Sequence, residues 1–301
     1  MNLKPQGVTW TVGELLQWTT AFFTRSGIDE ARLSAELLLA HALGCSRMVL
    51  YTRFEQTPPP DQVASFREMV KKRKDHVPVA YLIGKAWFYS LEFTVTPEVL
   101  IPRPDTETMV EQVIRLARTV PAWEAPEILD MCTGSGCIAI ALAKSIPSAR
   151  LTASDISRSA LCLAAKNAEN HDVAARISLI CGDLFEPVAA LSPPVLFHAI
   201  VCNPPYIVAD QISSLMPEVS AHEPRLALDG GPDGLAFYRR IAEQAGDFLI
   251  SGGALIVETA FDQTQAVEQM LLAQGVFHDS QIIRDLAGHP RCVLVRKAVG
   301  R

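Results

Sequence analysis

The chain is predicted to fold as a mostly parallel, doubly wound α/β sheet preceded by a small helical bundle. Three observations predict this. About the first 85 of the 301 residues show only helix-period apolar spacing. A short stretch of β-branched and aromatic residues follows. From about residue 105 short apolar strands alternate with helical stretches, a rhythm that calls for parallel strands joined by crossover helices.

Taken in order, Thr11 and Glu14 form a candidate capping box ahead of Leu15, Leu16, Trp18 and Phe22 at helical spacing. A second helix fits residues 30–43 and is stopped by Gly44. A third is expected to start at Ser46, and a fourth spans 60–74 with proline in its first turn. These elements define an expected N-terminal helical domain, 1–78. Residues 79–103 carry Trp87, Phe88, Tyr89, Phe93, Thr94 and Val95 between Gly84, Pro97 and Pro102, and read as a β-hairpin linker. The third domain, 104–301, opens with a helix at 105–118. Strands are expected at 127–131, 150–154, 177–181, 198–202, 254–259, 281–285 and 292–296. The short link between the last two predicts an antiparallel pair.

Composition narrows the function. With 49% hydrophobic residues the chain can bury a full core. The net charge of -6 and scattered Lys and Arg argue against gripping long nucleic acid through its phosphates. The one basic run, Lys71 to Lys74, reads as the solvated end of a helix, where cations complement the dipole. Seven cysteines, an odd number without CxxC pairing, suggest reduced core thiols and a cytoplasmic protein. The seven histidines are dispersed, so no metal is expected. Residues 1–6 carry no basic leader before an apolar stretch, and no apolar run reaches the length of a membrane span, so neither export nor insertion is expected.

The chemistry-bearing residues stand at strand ends. The first strand of the sheet runs into Cys132, Thr133, Gly134, Ser135 and Gly136, with a helix pattern at once behind them. Such a turn lets a ligand approach bare backbone, although a plain tight turn has the same composition. Ala139 in the third place of a GxGxxG/A pattern leaves a nicotinamide cofactor open on this loop alone. Asp155 ends the second strand, where a carboxylate can accept both hydroxyls of a ribose or cap the following helix. Asp183 and Leu184 end the third, placed to pair with an adenine amine and cover its ring, or to form a turn with Asp183 as a helix cap.

The fourth strand delivers Asn203, Pro204, Pro205 and Tyr206. Each proline keeps its predecessor out of the α region and lacks an N–H, so Asn203 and Pro204 are held extended. An amide or aromatic amine is a poor nucleophile because its lone pair is delocalised. The Asn203 side-chain oxygen and the Pro204 carbonyl can each accept one N–H of such a group, which favours a pyramidal nitrogen. Tyr206 can lie against the planar group and exclude water. A simple turn after a strand is the alternative.

Together, Asp130-x-x-Thr-Gly-Ser-Gly136, Asp155 and Asn203-Pro-Pro-Tyr206 resemble the class I (Rossmann-like) methyltransferases that act on planar nitrogens. Further stretches, Asp29 to Arg32, Pro78 to Gly84, Ile101 to Glu107 and Glu223 to Gly234, are similar to the bacterial release-factor glutamine methyltransferases, the HemK/PrmC family, across nearly the whole chain. The resemblance implies S-adenosylmethionine as cofactor, its methionine part at Cys132 to Gly136, its ribose at Asp155, its adenine at Leu184 beside Asp183, and a substrate glutamine at Asn203 to Tyr206. It implies a peptide-chain release factor as partner, the glutamine lying in a Gly-Gly-Gln motif and the N-terminal bundle docking the factor. A monomer without direct nucleic-acid contact is expected. Cys132 stands where the family usually has glycine, and Leu184 where it often has an aromatic residue. A related branch methylates a ribosomal protein; segment 101–105 and the ending Asp285-Leu286-Ala287-Gly288 favour the release-factor branch. A nucleic-acid adenine methyltransferase is disfavoured by acidity, and a non-catalytic cofactor-binding module by the intact Asn203 to Tyr206.

Overall fold

A computed structural model describes residues 9–299; the opening segment 1–6, expected to hold no leader, lies outside them. The chain forms two compact units. One comprises the residues up to Gly84 together with Pro217–His222, the other Lys85–Met216 with Glu223 onward.

In the first unit the helices are Val12–Arg25, Ala31–Ala42, Arg47–Thr52, Pro60–Lys74 and Val79–Ile83. The capping box forms: Glu14 N–H donates to Thr11 Oγ1 at 3.2 Å, and Thr11 N–H to Glu14 Oε2 at 3.0 Å. Leu16, Phe23, Leu38, Leu39, Leu50 and Phe66 make the core. Val79–Ile83 corrects the expected hairpin linker. Its β-branched and aromatic composition suggests a strand, but Pro78 caps it and Gly84, at φ +72, closes it as a short helix. The basic run is not wholly solvated either, since Arg73 is buried and pairs with Glu218 at 2.5 Å. That pair ties Pro217–His222 to the helices.

Glu36 is buried among Arg32, Arg47 and Tyr51. Burial pushes its carboxyl up, but hydrogen bonds from Tyr51, Arg47 and Arg32 outweigh it and hold it at about 2, against an ordinary 4.5. A carboxyl depressed on folding stabilises fully above its unfolded value, and that stability is lost as pH falls toward the folded one. Thermal melts are therefore expected to show stability falling as pH drops from roughly 4.5 toward 2, by less than the full shift implies because Arg32 and Arg47 are half exposed to screening solvent. Glu36→Gln should remove that slope, and an unchanged slope would exclude Glu36 as its source.

The second unit starts with the hairpin β1 (Lys85–Phe88) and β2 (Leu91–Thr94), turned by Tyr89 and Ser90 at positive φ. The sheet follows: β3 (Glu127–Met131), β4 (Arg150–Asp155), β5 (Ile177–Cys181), β6 (Phe197–Cys202), β7 (Leu249–Glu258), β8 (Phe277–Arg284) and β9 (Pro290–Lys297). Their order is β5-β4-β3-β6-β7-β9-β8. The first five are parallel, and β9 is antiparallel to both β7 and β8. Helices Glu107–Thr119, Cys137–Ser145, Arg158–Asn170, Ala236–Phe248 and Thr264–Leu272 join or cover the strands. This is the Rossmann-like layering the alternating pattern predicts.

The hairpin is pinned to this layer by buried Asn167. Its Oδ1 accepts Thr94 N–H at 2.9 Å, and its Nδ2 donates to the carbonyls of Thr94 and Ser135. Of the seven free cysteines, Cys137, Cys202 and Cys292 are buried as expected, while Cys162 and Cys181 are exposed. Among the described residues no helix is long and apolar enough to cross a membrane, and no cluster of His, Cys, Asp or Glu is placed to hold a metal ion.

Candidate active site

The carboxyl ends of β3, β4, β5 and β6 open onto one cavity, lined by Cys132, Thr133, Gly134, Ser135, Asp155, Asp183, Leu184, Asn203 and Pro205 among others. The strand order puts the break in crossover direction between β3 and β6, where ligands bind in open α/β sheets.

Asp130 sets the β3 loop. Fully buried, its Oδ2 accepts Thr133 Oγ1 at 2.6 Å and Ala139 N–H at 3.1 Å, and burial raises its carboxyl to about 7. Cys132 lies at φ +58 and its Sγ rests 3.8 Å from that of Cys202. The family's usual glycine there thus matches a left-handed backbone that a cysteine adopts at a cost. Leu184, the other departure, also sits at positive φ, +46, with its side chain buried.

Asp155 ends β4. Its Oδ2 accepts Gly134 N–H and its Oδ1 accepts Ser157 N–H, each at 2.9 Å. Burial raises its carboxyl above the ordinary range, and those backbone bonds offset only part of the rise. The helix cap is Ser157, whose Oγ takes Ala160 N–H, so Asp155 is not spent on capping. Asp183 likewise caps no helix; its Oδ2 pairs with Arg240 at 2.7 Å, and both line the cavity.

Three residues expected in the site, Gly136, Pro204 and Tyr206, contribute no side chain to the cavity wall, which leaves Pro204 a main-chain role alone. Gly136 faces the next helix, where an added Cβ would come within 3.1 Å of Ala164 Cβ. Pro204 is buried. Tyr206 stands behind the wall, its carbonyl accepting Gln263 Nε2 at 3.0 Å. The Gly230 to Gly234 segment, whose distance from the pocket is not legible in sequence, packs on this backbone. Gly230 N–H donates to Ile207 O at 2.8 Å and Ile207 N–H to Leu228 O at 2.9 Å.

Comparison with known proteins gives the family. Residues 14–84 match the PrmC N-terminal domain and residues 113–225 the methyltransferase small domain. A release factor glutamine methyltransferase of Rhodopirellula baltica is 42% identical over 96% of this chain and 97% of its own length. One from Geobacter sulfurreducens is 42% identical over 97% and 98%. The chain belongs to the release factor glutamine methyltransferase family. It is an S-adenosylmethionine-dependent methyltransferase. Among solved structures, the hMettl16 catalytic domain is 15% identical, with TM-score 0.55 over 80% of this chain and 82% of its own. A Pyrococcus furiosus methyltransferase is 16% identical, with TM-score 0.50 over 70% and 90%. These two share the fold.

The donor set fits the family's cofactor. A carboxylate offers about four lone-pair sites; backbone N–H groups take one on each oxygen of Asp155, which leaves one on each for a vicinal diol. Leu184, Ile138 and Ala160 give the same cavity an apolar side. Arg240, Thr106 and Phe237 also line it and were not foreseen as site residues. They come from helices and a turn distant in sequence, and no local spacing marks them.

The close approach at Gly230 yields a test. A Cβ there would come within 2.7 Å of Tyr206 Cα and 2.8 Å of its carbonyl carbon, both backbone. Gly230→Ala is expected to cost about 1–3 kcal/mol of stability. By displacing the Asn203 to Tyr206 loop it should also lower kcat at least about tenfold. Calorimetric melting with steady-state kinetics checks both, and wild-type values for the pair would separate Gly230 from the loop.

Proposed function

We propose that this chain transfers a methyl group to the side-chain amide nitrogen of the glutamine in the Gly-Gly-Gln motif of peptide-chain release factors. One observation carries the proposal: Asn203 and Pro205, on the loop after β6, share a cavity wall with Asp155 and the Cys132 to Ser135 loop. An amide-binding loop thus lies within one cavity of the groups suited to the methyl donor. The relatives at 42% identity bear the release-factor name.

S-adenosylmethionine supplies an electrophilic methyl group on a positively charged sulfur. The residues' part is to bind and aim. Asp155 takes the ribose hydroxyls, Asp183 and Leu184 border the adenine, and Cys132 to Ser135 border the methionine part. Asn203 Oδ1 and the Pro204 carbonyl accept the two N–H bonds of the glutamine amide. Holding both hydrogens makes the nitrogen more pyramidal and points its lone pair at the methyl group. Proximity and orientation carry most of the rate gain, and no strong base acts first. As the N–CH3 bond formed and the S–CH3 bond broke, the nitrogen would release one of its two protons to solvent, leaving a neutral N-methyl amide and a neutral thioether. Tyr206 supports the loop from behind, its carbonyl held by Gln263.

Glycines beside the target glutamine suit a narrow mouth that a larger side chain would block. Residues 1–78 are assigned to docking the factor, the hairpin to linking, and 104–301 to chemistry. A cytoplasmic monomer that needs no nucleic acid suits a protein substrate. Incubation with labelled S-adenosylmethionine and purified release factor or ribosomal protein tests the proposal. Label on the factor supports it; label on the ribosomal protein alone moves the chain to the sister branch.

A further inference from the structure

Glu258 is the last residue of β7, and β7 runs parallel to β6 with Cys202 opposite Val257. One step further along both strands, Asn203 and Glu258 are neighbours at the carboxyl edge of the sheet. Glu258 is 2% exposed, and its Oε2 has no hydrogen-bond partner. A buried carboxylate with an unsatisfied oxygen weakens a core rather than strengthening it, so its presence calls for a reason.

The groups directed at Glu258 supply one. Thr106 and Asn203 both face the carboxylate, and their polar hydrogens favour its charged form. Asn203 Nδ2 also lies 3.4 Å from Thr106 Oγ1, with the amide donating. An ionised carboxylate can only accept, so an amide beside it must turn its NH2 group inward. The asparagine oxygen is then left on the other side, toward the cavity that Asn203 lines.

We propose that Glu258, with Thr106, is a positioning residue that fixes the amide orientation of Asn203, so that Oδ1 rather than Nδ2 meets the reacting group. This rests on the glutamine reading above, in which Asn203 must accept a substrate N–H. A flipped Asn203 would set its own N–H against that donor and could not hold it. Burial raises the Glu258 carboxyl to about 7, opposed by Thr106, Arg291 and Asn203; assays at about pH 8.5 therefore keep it ionised. A purely structural role is separable. Tyr238 Oη anchors its helix to the backbone carbonyl of Glu258 at 2.7 Å, a bond that survives side-chain substitution.

The test is Glu258→Gln in the full chain. The new side-chain NH2 can donate to Asn203 and lets its amide turn over. Expected are a fall in kcat of about tenfold or more, methyl-donor Kd within about threefold of wild type, and an unchanged melt. In an Asn203→Ala background the same change should add almost nothing, because both act through one amide. A kcat within about twofold of wild type, or a loss that adds to that of Asn203→Ala, overturns the proposal. Should Glu258→Gln fail to fold, Thr106→Val is judged by the same criteria. The side-chain amide signal of Asn203, assigned by its absence in Asn203→Ala, gives a readout free of substrate. Slow hydrogen exchange in wild type that is lost in Glu258→Gln supports the orientation, and equal exchange in both overturns it. If wild type methylates no release-factor glutamine, the substrate reading fails while the exchange result still decides the orientation.

Discussion

Replacing Asn203 by alanine is expected to lower kcat by about 10²–10³-fold, equivalent to some 2.7–4 kcal/mol, the range seen when one preorganised hydrogen-bonding partner is removed from a reacting group. The substrate amide would keep only the Pro204 carbonyl as acceptor, and its nitrogen would stay planar and badly aimed. Methyl-donor affinity should change little, because Asp155 and the Cys132 to Ser135 loop remain. The diagnostic pattern is a fall in kcat with donor Kd within about threefold. A variant that keeps kcat within about threefold of wild type would remove the amide clamp from the mechanism.

Asp155→Ala is the second large effect, and it falls on binding. Two charge-assisted hydrogen bonds to the ribose would be lost, each worth roughly 1.5–3 kcal/mol before water compensates. A rise in donor Kd of about 10–100-fold is expected after that compensation. Asp155 also receives Gly134 N–H and Ser157 N–H, so its loss frees the β3 loop as well. At saturating donor, kcat should recover much of its wild-type value, because Asn203 is untouched. Calorimetric titration showing unchanged affinity would remove Asp155 from the donor site.

The strands of the sheet are legible because each is a short apolar run between turn residues, and β3 and β5 are read to the residue. The start of β7 escapes because Ser251, Gly252 and Gly253 look like a turn. The start of β8 escapes because His278, Asp279 and Ser280 are polar, as suits an edge strand with a register shift there. Val79–Ile83 is too short for its period to tell helix from strand, and only the flanking Pro78 and Gly84 favour helix. Grouping Pro217–His222 with the first helices depends on the Arg73 to Glu218 pair across the chain, which no local pattern announces.

The site is legible to the same extent and for the same reason. Cys132 to Ser135, Asp155, Asp183, Leu184 and Asn203 follow directly on strands, and a parallel sheet brings strand ends to one edge. Gly136 and Tyr206 share that sequence position, but their groups are taken up by packing against Ala164 and Gly230. Glu258 ends a strand too, yet its tie to Asn203 depends on β6 and β7 being neighbours. Arg240 reaches Asp183 from a helix whose register sequence does not fix. The two departures from the family pattern, Cys132 and Leu184, prove to be positions of left-handed backbone, a property that composition does not reveal.

The most direct measurement is mass mapping of a purified peptide-chain release factor after incubation with this chain and S-adenosylmethionine. One methyl group on the side-chain nitrogen of the Gly-Gly-Gln glutamine, absent when Asn203→Ala replaces the wild type, is the result expected. Methylation of any other residue, or of a ribosomal protein and not the release factor, would contradict it.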